Sequence, residues 1–172
     1  WANQSSIHFV SGDVDKKFNN ISNKPEQNKK LTELLKFSPN NSKLDLVTSM
    51  FMIHYLFENE TKINNLFKNA SSVLKKNGYM IVTTLDGELV DKLLFDKDNK
   101  EHYIEGKYND EKIWSIKAKY KQPFNKDYNK KISVFVESIS DKETDEYLVH
   151  PHTLLKVAND NGFQLLSKKE IT

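Results

Sequence analysis

The sequence predicts an α/β fold: the later part of a doubly wound, mostly parallel sheet, carrying an inserted antiparallel hairpin. Three observations predict it. The run Leu44–Met50 is almost continuously apolar, as a strand buried in a parallel sheet is. A helical pattern over 60–76 then leads by short joints into a second apolar run, Tyr79–Thr84, which makes a βαβ unit and a parallel pair. Further on, Lys112–Lys119 and Lys131–Ser140 read as two strands joined by a Pro/Asn/Asp loop, an antiparallel hairpin.

Taken in order, Ile7–Val10 reads as a short strand and Ser11–Asp15 as a turn. A short helix covers Leu31–Phe37 and is stopped by Ser38-Pro39-Asn40-Asn41. In the 60–76 helix, Ile63, Leu66, Phe67, Ala70, Val73 and Leu74 fall on one face, Asn59 serves as N-cap and Asn77-Gly78 as the stop. Gly87–Phe95 is helical with Leu89, Val90, Leu93 and Leu94 inward, and residues 96–112 are charged and irregular. Pro151 opens a last helix at its first position, Asn161-Gly162 ends it, and Phe163–Leu166 is a final strand. The 172 residues suit one domain, 1–172. The chain begins at Trp1 rather than Met, which reads as a fragment, a processed piece or the ordered part of something larger.

Composition excludes several kinds of chemistry. There is no Cys, so thiolate nucleophiles, disulfides and Cys-zinc sites are ruled out. A net charge of +2 argues no nucleic-acid binding by itself. All 26 basic residues are Lys, so phosphate would be met by Lys or backbone N–H groups rather than a guanidinium fork. The abundance of Lys and Asn is that of an AT-rich coding sequence. No apolar run approaches the roughly 18 residues of a membrane span, and no signal peptide is visible. His150 and His152 have no carboxylate at ligand spacing, so no metal site is expected. No nucleophile elbow is present either.

Ligands in open α/β sheets sit beyond the carboxyl ends of strands. His54 lies just past such an end, among Phe51, Tyr55 and Phe57. Rings with a hydrogen-bonding His suit a planar base, although a satisfied His at a helix start reads equally well. Glu146 precedes the Pro151 helix in Glu143–Val149, either as a solvated acidic loop or as an acceptor for paired N–H donors. Asp13 follows the first strand, as turn chemistry or as an acceptor for a ligand amine. Lys117, Lys119 and Lys121 alternate along one strand face, either solvated or facing phosphate.

Three segments carry a family resemblance. Leu44-Asp-Leu-Val-Thr-Ser-Met-Phe-Met-Ile-His-Tyr-Leu-Phe57 resembles the signature of mRNA cap guanine-N7 methyltransferases. So do Asn69-Ala-Ser-Ser-Val-Leu-Lys-Lys-Asn-Gly-Tyr-Met-Ile-Val-Thr-Thr-Leu-Asp-Gly87 and Asp145-Glu-Tyr-Leu-Val149. The Thr-Thr-Leu-Asp-Gly form is similar to the capping enzymes of large DNA viruses.

The resemblance implies the C-terminal part of a Rossmann-like S-adenosylmethionine methyltransferase fold and transfer of a methyl group to N7 of the cap guanine. It places Phe51, His54, Tyr55 and Glu146 at the cap guanine, and Asp13, Val14 and the backbone of Met50 at the cofactor's adenine, with S-adenosylmethionine as cofactor and no metal. No catalytic acid or base is implied. Expected partners are the capped 5′ end of RNA and other domains or subunits of a capping enzyme, with no membrane. The implied location is intracellular: cytoplasmic for a viral protein, nuclear for a cellular one. The family's Gly-rich acidic first motif has no counterpart in this sequence, so the isolated piece is expected to be inactive. Two other readings stay open: a non-catalytic methyltransferase-like regulatory module of a capping complex, and a methyltransferase for another small molecule.

Overall fold

The computed structural model describes residues 10–36, 43–122 and 127–171. The expected strand at 7–10 and the stop at 38–41 lie outside them, apart from Val10, as does Pro123 in the hairpin loop. The elements run α1 (Pro25–Lys36), β1 (Leu44–Met50), a 3-10 segment (Ile53–Glu58), α2 (Glu60–Val73), β2 (Leu74–Thr83) and α3 (Gly87–Leu94). Next come β3 (Tyr103–Tyr108), β4 (Glu111–Ala118), β5 (Lys131–Val136), β6 (Thr144–Tyr147), α4 (Pro151–Asp160) and the single turn α5 (Lys168–Ile171). Proline sits at the first position of α1 and of α4, where its fixed φ and missing N–H cost nothing. Starting at Pro25, α1 is longer at its N-terminus than the apolar pattern predicts.

β1 and β2 are adjacent and parallel, as the short joints predict, and α2 connects them. Asn59 caps α2, its side chain accepting the Lys62 N–H at 3.1 Å. The far end differs from expectation. The helix stops at Val73, and the chain turns extended before Asn77-Gly78. Asn77 is left-handed, with φ 63°, and the pairing jumps from Leu44/Leu74 to Leu46/Tyr79. The pair therefore forms an irregularity inside β2 rather than a helix stop. Asn tolerates this conformation better than most residues.

β3, β4, β5 and β6 form an antiparallel sheet in that order. The expected hairpin is its β4–β5 pair, with Ile116 opposite Val134. Two strands extend it. β3 lies in the stretch expected to be irregular, and Asn109 and Asp110, both at positive φ, turn it into β4. β6 turns the presumed acidic loop into an edge strand, so Glu146 has a fixed face, opposite Ile132. The expected last strand is absent: residues 163–167 take no regular structure, and no described strand lies beside them to complete a ladder.

Two apolar clusters hold these layers. Ile53, Leu56 and Phe57 pack with Ile63, Leu66 and Phe67 of α2, with Val149 and Val157, and with Met80 and Val82 of β2. Val90 and Leu94 of α3 pack on Ile116, Ile132, Val134 and Leu148. Leu89 and Leu93, expected inward, are each 57% exposed. The same holds for one face of the parallel pair. Leu44, Leu46 and Met50 of β1 and Tyr79 and Ile81 of β2 are exposed, and β1 is not the strand buried on both faces that its apolar run predicts. The pattern marks these residues as apolar; among the described residues nothing lies over them.

Gly87 ties the layers together. Its N–H donates to the Val149 carbonyl at 3.0 Å, and a Cβ at this position would stand 2.4 Å from that same oxygen. Gly87→Ala is expected to cost about 1–3 kcal/mol, read as a lower urea midpoint with an unchanged slope. An unchanged midpoint would show that the start of α3 and the segment following β6 do not meet this closely.

Candidate functional site

The site forms where β1 ends and β6 passes the 3-10 segment. The segment's inward residues, Ile53, Leu56 and Phe57, are buried in the core. With these three fixed, His54 and Tyr55 fall on the outer side. β6 presents Glu146 to them because alternation along a strand puts Glu146 and Thr144 on one face and Asp145 on the other.

Three of the four residues assigned to the guanine pocket are brought together across 91 positions of sequence. The Tyr55 hydroxyl donates to Glu146 Oε1 at 3.3 Å. His54 Nε2 stands 3.4 Å from Glu146 Oε2. The rings of His54 and Tyr55 lie with centroids 4.4 Å apart, tilted by 58°. Phe51 is the fourth of these residues. It occupies the turn leaving β1, with φ 47° and 61% of its surface exposed. A left-handed aromatic residue is uncommon and is held at a cost of about 1–2 kcal/mol.

Burial sets the electrostatics. Glu146 is 8% exposed, and desolvation pushes its carboxyl above the ordinary value, while hydrogen bonds from Tyr55 and Thr144 pull the other way. Desolvation lowers His54 below 6.5, so near neutral pH the imidazole is uncharged and its approach to Glu146 is not an ion pair. Tyr55 is raised by burial and then by the Glu146 charge, and stays a hydroxyl donor. The cluster is a buried carboxyl group with two neutral hydrogen-bonding neighbours.

Asp13 and Val14 lie on the other side of Tyr55. With Gly12, Asp15, Tyr55 and Lys62 they line a cavity of about 420 Å³. Asp13 holds Lys16 at 2.8 Å, and its N–H donates to Ile21 O. Met50 does not line this cavity; its side chain is exposed at the end of β1. Of the Lys strip, Lys117 and Lys119 share a face, but Lys119 is bound to Asp145 at 2.5 Å, and Lys131 reaches the other oxygen of that carboxylate at 3.2 Å. That pairing leaves little of the strip directed at a phosphate.

Two residues with no assigned role contact the site. Thr144 Oγ1 lies 3.4 Å from Glu146 Oε1, and Thr83 holds the Phe51 N–H. The position of Thr144, two residues before Glu146 on one strand, is the only signal that could have found it.

Among the described residues no cluster of three or more His, Asp or Glu could hold a metal ion, and no helix is long and apolar enough to cross a membrane.

Comparison with known proteins gives the chain's relatives. The chain is 32% identical over 129 residues to a "Probable mRNA-capping enzyme" of Acanthamoeba polyphaga mimivirus, covering 73% of the chain and 11% of that protein. It is 30% identical over 125 residues to the mRNA cap guanine-N(7) methyltransferase of Cryptococcus neoformans, covering 73% of the chain and 17% of that protein. It thus spans less than a fifth of the length of these relatives. An S-adenosylmethionine-dependent methyltransferase from Clostridium acetobutylicum overlays with a TM-score of 0.47 at 13% identity, over 84% of this chain and 63% of that one. The profile of the mRNA (guanine-N(7))-methyltransferase domain matches residues 13–172, which include all three motifs and the whole His54–Tyr55–Glu146 cluster, and the chain belongs to that family.

Proposed function

We propose that this chain carries the guanine-recognition part of an mRNA cap guanine-N7 methyltransferase, with Phe51, His54, Tyr55 and Glu146 around the base. The observation that carries this reading is the Glu146 carboxylate, buried yet bonded to Tyr55 and facing His54. A carboxylate has capacity for about four hydrogen bonds. Tyr55 and Thr144 use Oε1, which leaves acceptor positions for the N1–H and N2–H donors of guanine. Phe51 and Tyr55 supply ring surface for stacking, and His54 supplies a neutral hydrogen-bonding group at the base edge.

The reaction asks little of acid–base chemistry. Guanine N7 bears a lone pair and no proton, so the protein's task is orientation, which can contribute on the order of 7–11 kcal/mol. S-adenosylmethionine, when bound, supplies an electrophilic methyl on a sulfonium. The described residues fit its adenine end: Asp13 offers an acceptor for an amine, and Val14 and Tyr55 offer apolar walls of the 420 Å³ cavity. No Gly-rich turn suited to the methionine end occurs among the five glycines of the sequence. Capped RNA is the proposed substrate, and further polypeptide of a capping enzyme is the proposed partner.

Two experiments test this. Titration with an unmethylated cap dinucleotide is expected to saturate a single site and to be competed by free GTP, whereas ATP competes poorly. Equal competition by ATP would remove the guanine assignment. The 172-residue chain alone is expected to give no methyl transfer to capped RNA with S-adenosylmethionine, and turnover by it would show that these residues hold the whole cofactor.

A further inference from the structure

Thr83 ends β2 opposite Met50, and no family motif gives it a task. Its carbonyl accepts the Phe51 N–H at 3.1 Å, carrying the ladder one residue past β1. Its hydroxyl also accepts that N–H, at 3.0 Å, and lies 3.9 Å from the Met50 sulfur. One hydroxyl therefore touches both sides of the Met50–Phe51 junction, where the chain bends into the left-handed region. The bend needs holding, because an aromatic residue persists at positive φ only where its surroundings fix it. The ring does not provide the hold, being mostly exposed. The N–H does, with two acceptors on one residue.

We infer that Thr83 is a positioning residue: its hydroxyl fixes the Met50–Phe51 bend and so aims the Phe51 ring at the guanine. The inference rests on the proposed guanine site and deepens it. It also explains why a hydroxyl is useful at this point. Val has the same shape and strand preference and keeps the carbonyl bond, but it cannot accept the second N–H contact. The hydroxyl lies at the junction of the residue assigned to the cofactor side and the one assigned to the guanine side, so it can set the spacing between the two.

The test uses the complete protein that carries this domain, with cap-dinucleotide affinity measured for Thr83→Val, Thr83→Ser, Phe51→Ala and the Thr83→Val/Phe51→Ala double variant, and thermal melts beside each. Phe51→Ala is expected to weaken binding about tenfold or more. Thr83→Val is expected to weaken it about three- to tenfold, the size of one hydrogen bond, and Thr83→Ser to restore it. In the Phe51→Ala background, Thr83→Val is expected to have no further effect, a coupling that a general loss of stability would not produce. Thr83→Val binding like the unchanged protein, Thr83→Ser failing to restore, or equal losses in both backgrounds would each overturn the role of Thr83. Phe51→Ala binding normally would instead overturn the guanine reading beneath it.

Discussion

Glu146→Gln is expected to reduce cap-dinucleotide affinity by at least tenfold and to leave thermal stability unchanged or raised. The binding loss follows from the donors it strands. A guanine held at this site presents two N–H groups to one carboxylate. Without the charge and one acceptor oxygen, a donor is left unpaired in a desolvated place, at about 1–3 kcal/mol, where each 1.4 kcal/mol is tenfold. Glu146→Ala removes both acceptors and is expected to lose more. The stability outcome has the opposite sign because burial has already raised the carboxyl above its ordinary 4.5. A group raised on folding stabilises the native state below its unfolded pKa, and that contribution is lost as pH rises through the folded pKa. The ionised form of Glu146 is therefore a burden on the fold, offset in part by the hydrogen bonds from Tyr55 and Thr144. Gln can accept from both without that burden. Affinity of the unchanged protein should also rise with pH above 4.5, as the carboxyl ionises, and Glu146→Gln should flatten that rise. A cap titration and a melt on the same sample decide it. A Gln variant that binds normally would sink the guanine role, and one that unfolds early would make Glu146 structural.

The comparison of sequence with structure divides by the kind of force involved. Local signals served well in most places: Pro151 opens a helix, Asn59 caps α2, and the short joints on either side of α2 give the parallel pair, whereas Pro25, read as part of a loop, in fact opens α1. Burial read from apolar character served less well. Leu89, Leu93, Leu46 and Ile81 are apolar at the expected spacing, yet they are exposed. Periodicity shows which face is apolar and cannot show whether another layer covers it. β3 is hidden for another reason: Tyr103-Ile-Glu-Gly-Lys-Tyr108 is polar and contains Gly, and only the Asn109-Asp110 turn marks it. At the site, Phe51, His54 and Tyr55 are neighbours in sequence and declare themselves. Glu146 is tied to them only through family resemblance, since nothing in the residues between encodes a pairing across 91 positions. Thr83 and Thr144 were unreadable because a threonine at a strand end is an ordinary β-former until its hydroxyl has a partner.

Phe57→Ala is expected to cost about 3–5 kcal/mol, the largest single loss of stability among these variants. Phe57 is 0% exposed and packs in the cluster that joins the 3-10 segment to α2 and β2. Its ring faces Tyr128 at 5.8 Å, and its carbonyl accepts the Asn129 N–H at 2.9 Å, so the segment is pinned by both side chain and backbone. Truncation leaves a cavity beneath the two residues that meet Glu146. Against a total stability of about 5–15 kcal/mol for a domain, such a loss populates unfolded chain under ordinary conditions, and cap binding falls with the folded fraction. This failure differs in kind from that of Glu146→Gln. Ligand at a hundred times its dissociation constant adds about 2.7 kcal/mol to the folded state, so saturating cap dinucleotide should recover much of the Phe57→Ala melting loss while leaving Glu146→Gln unimproved. Phe57→Leu, which fills most of the space, should lose far less. Denaturant midpoints with and without ligand provide the measurement. Phe57→Ala unfolding at the unchanged midpoint would mean that the aromatic segment is not anchored through this ring.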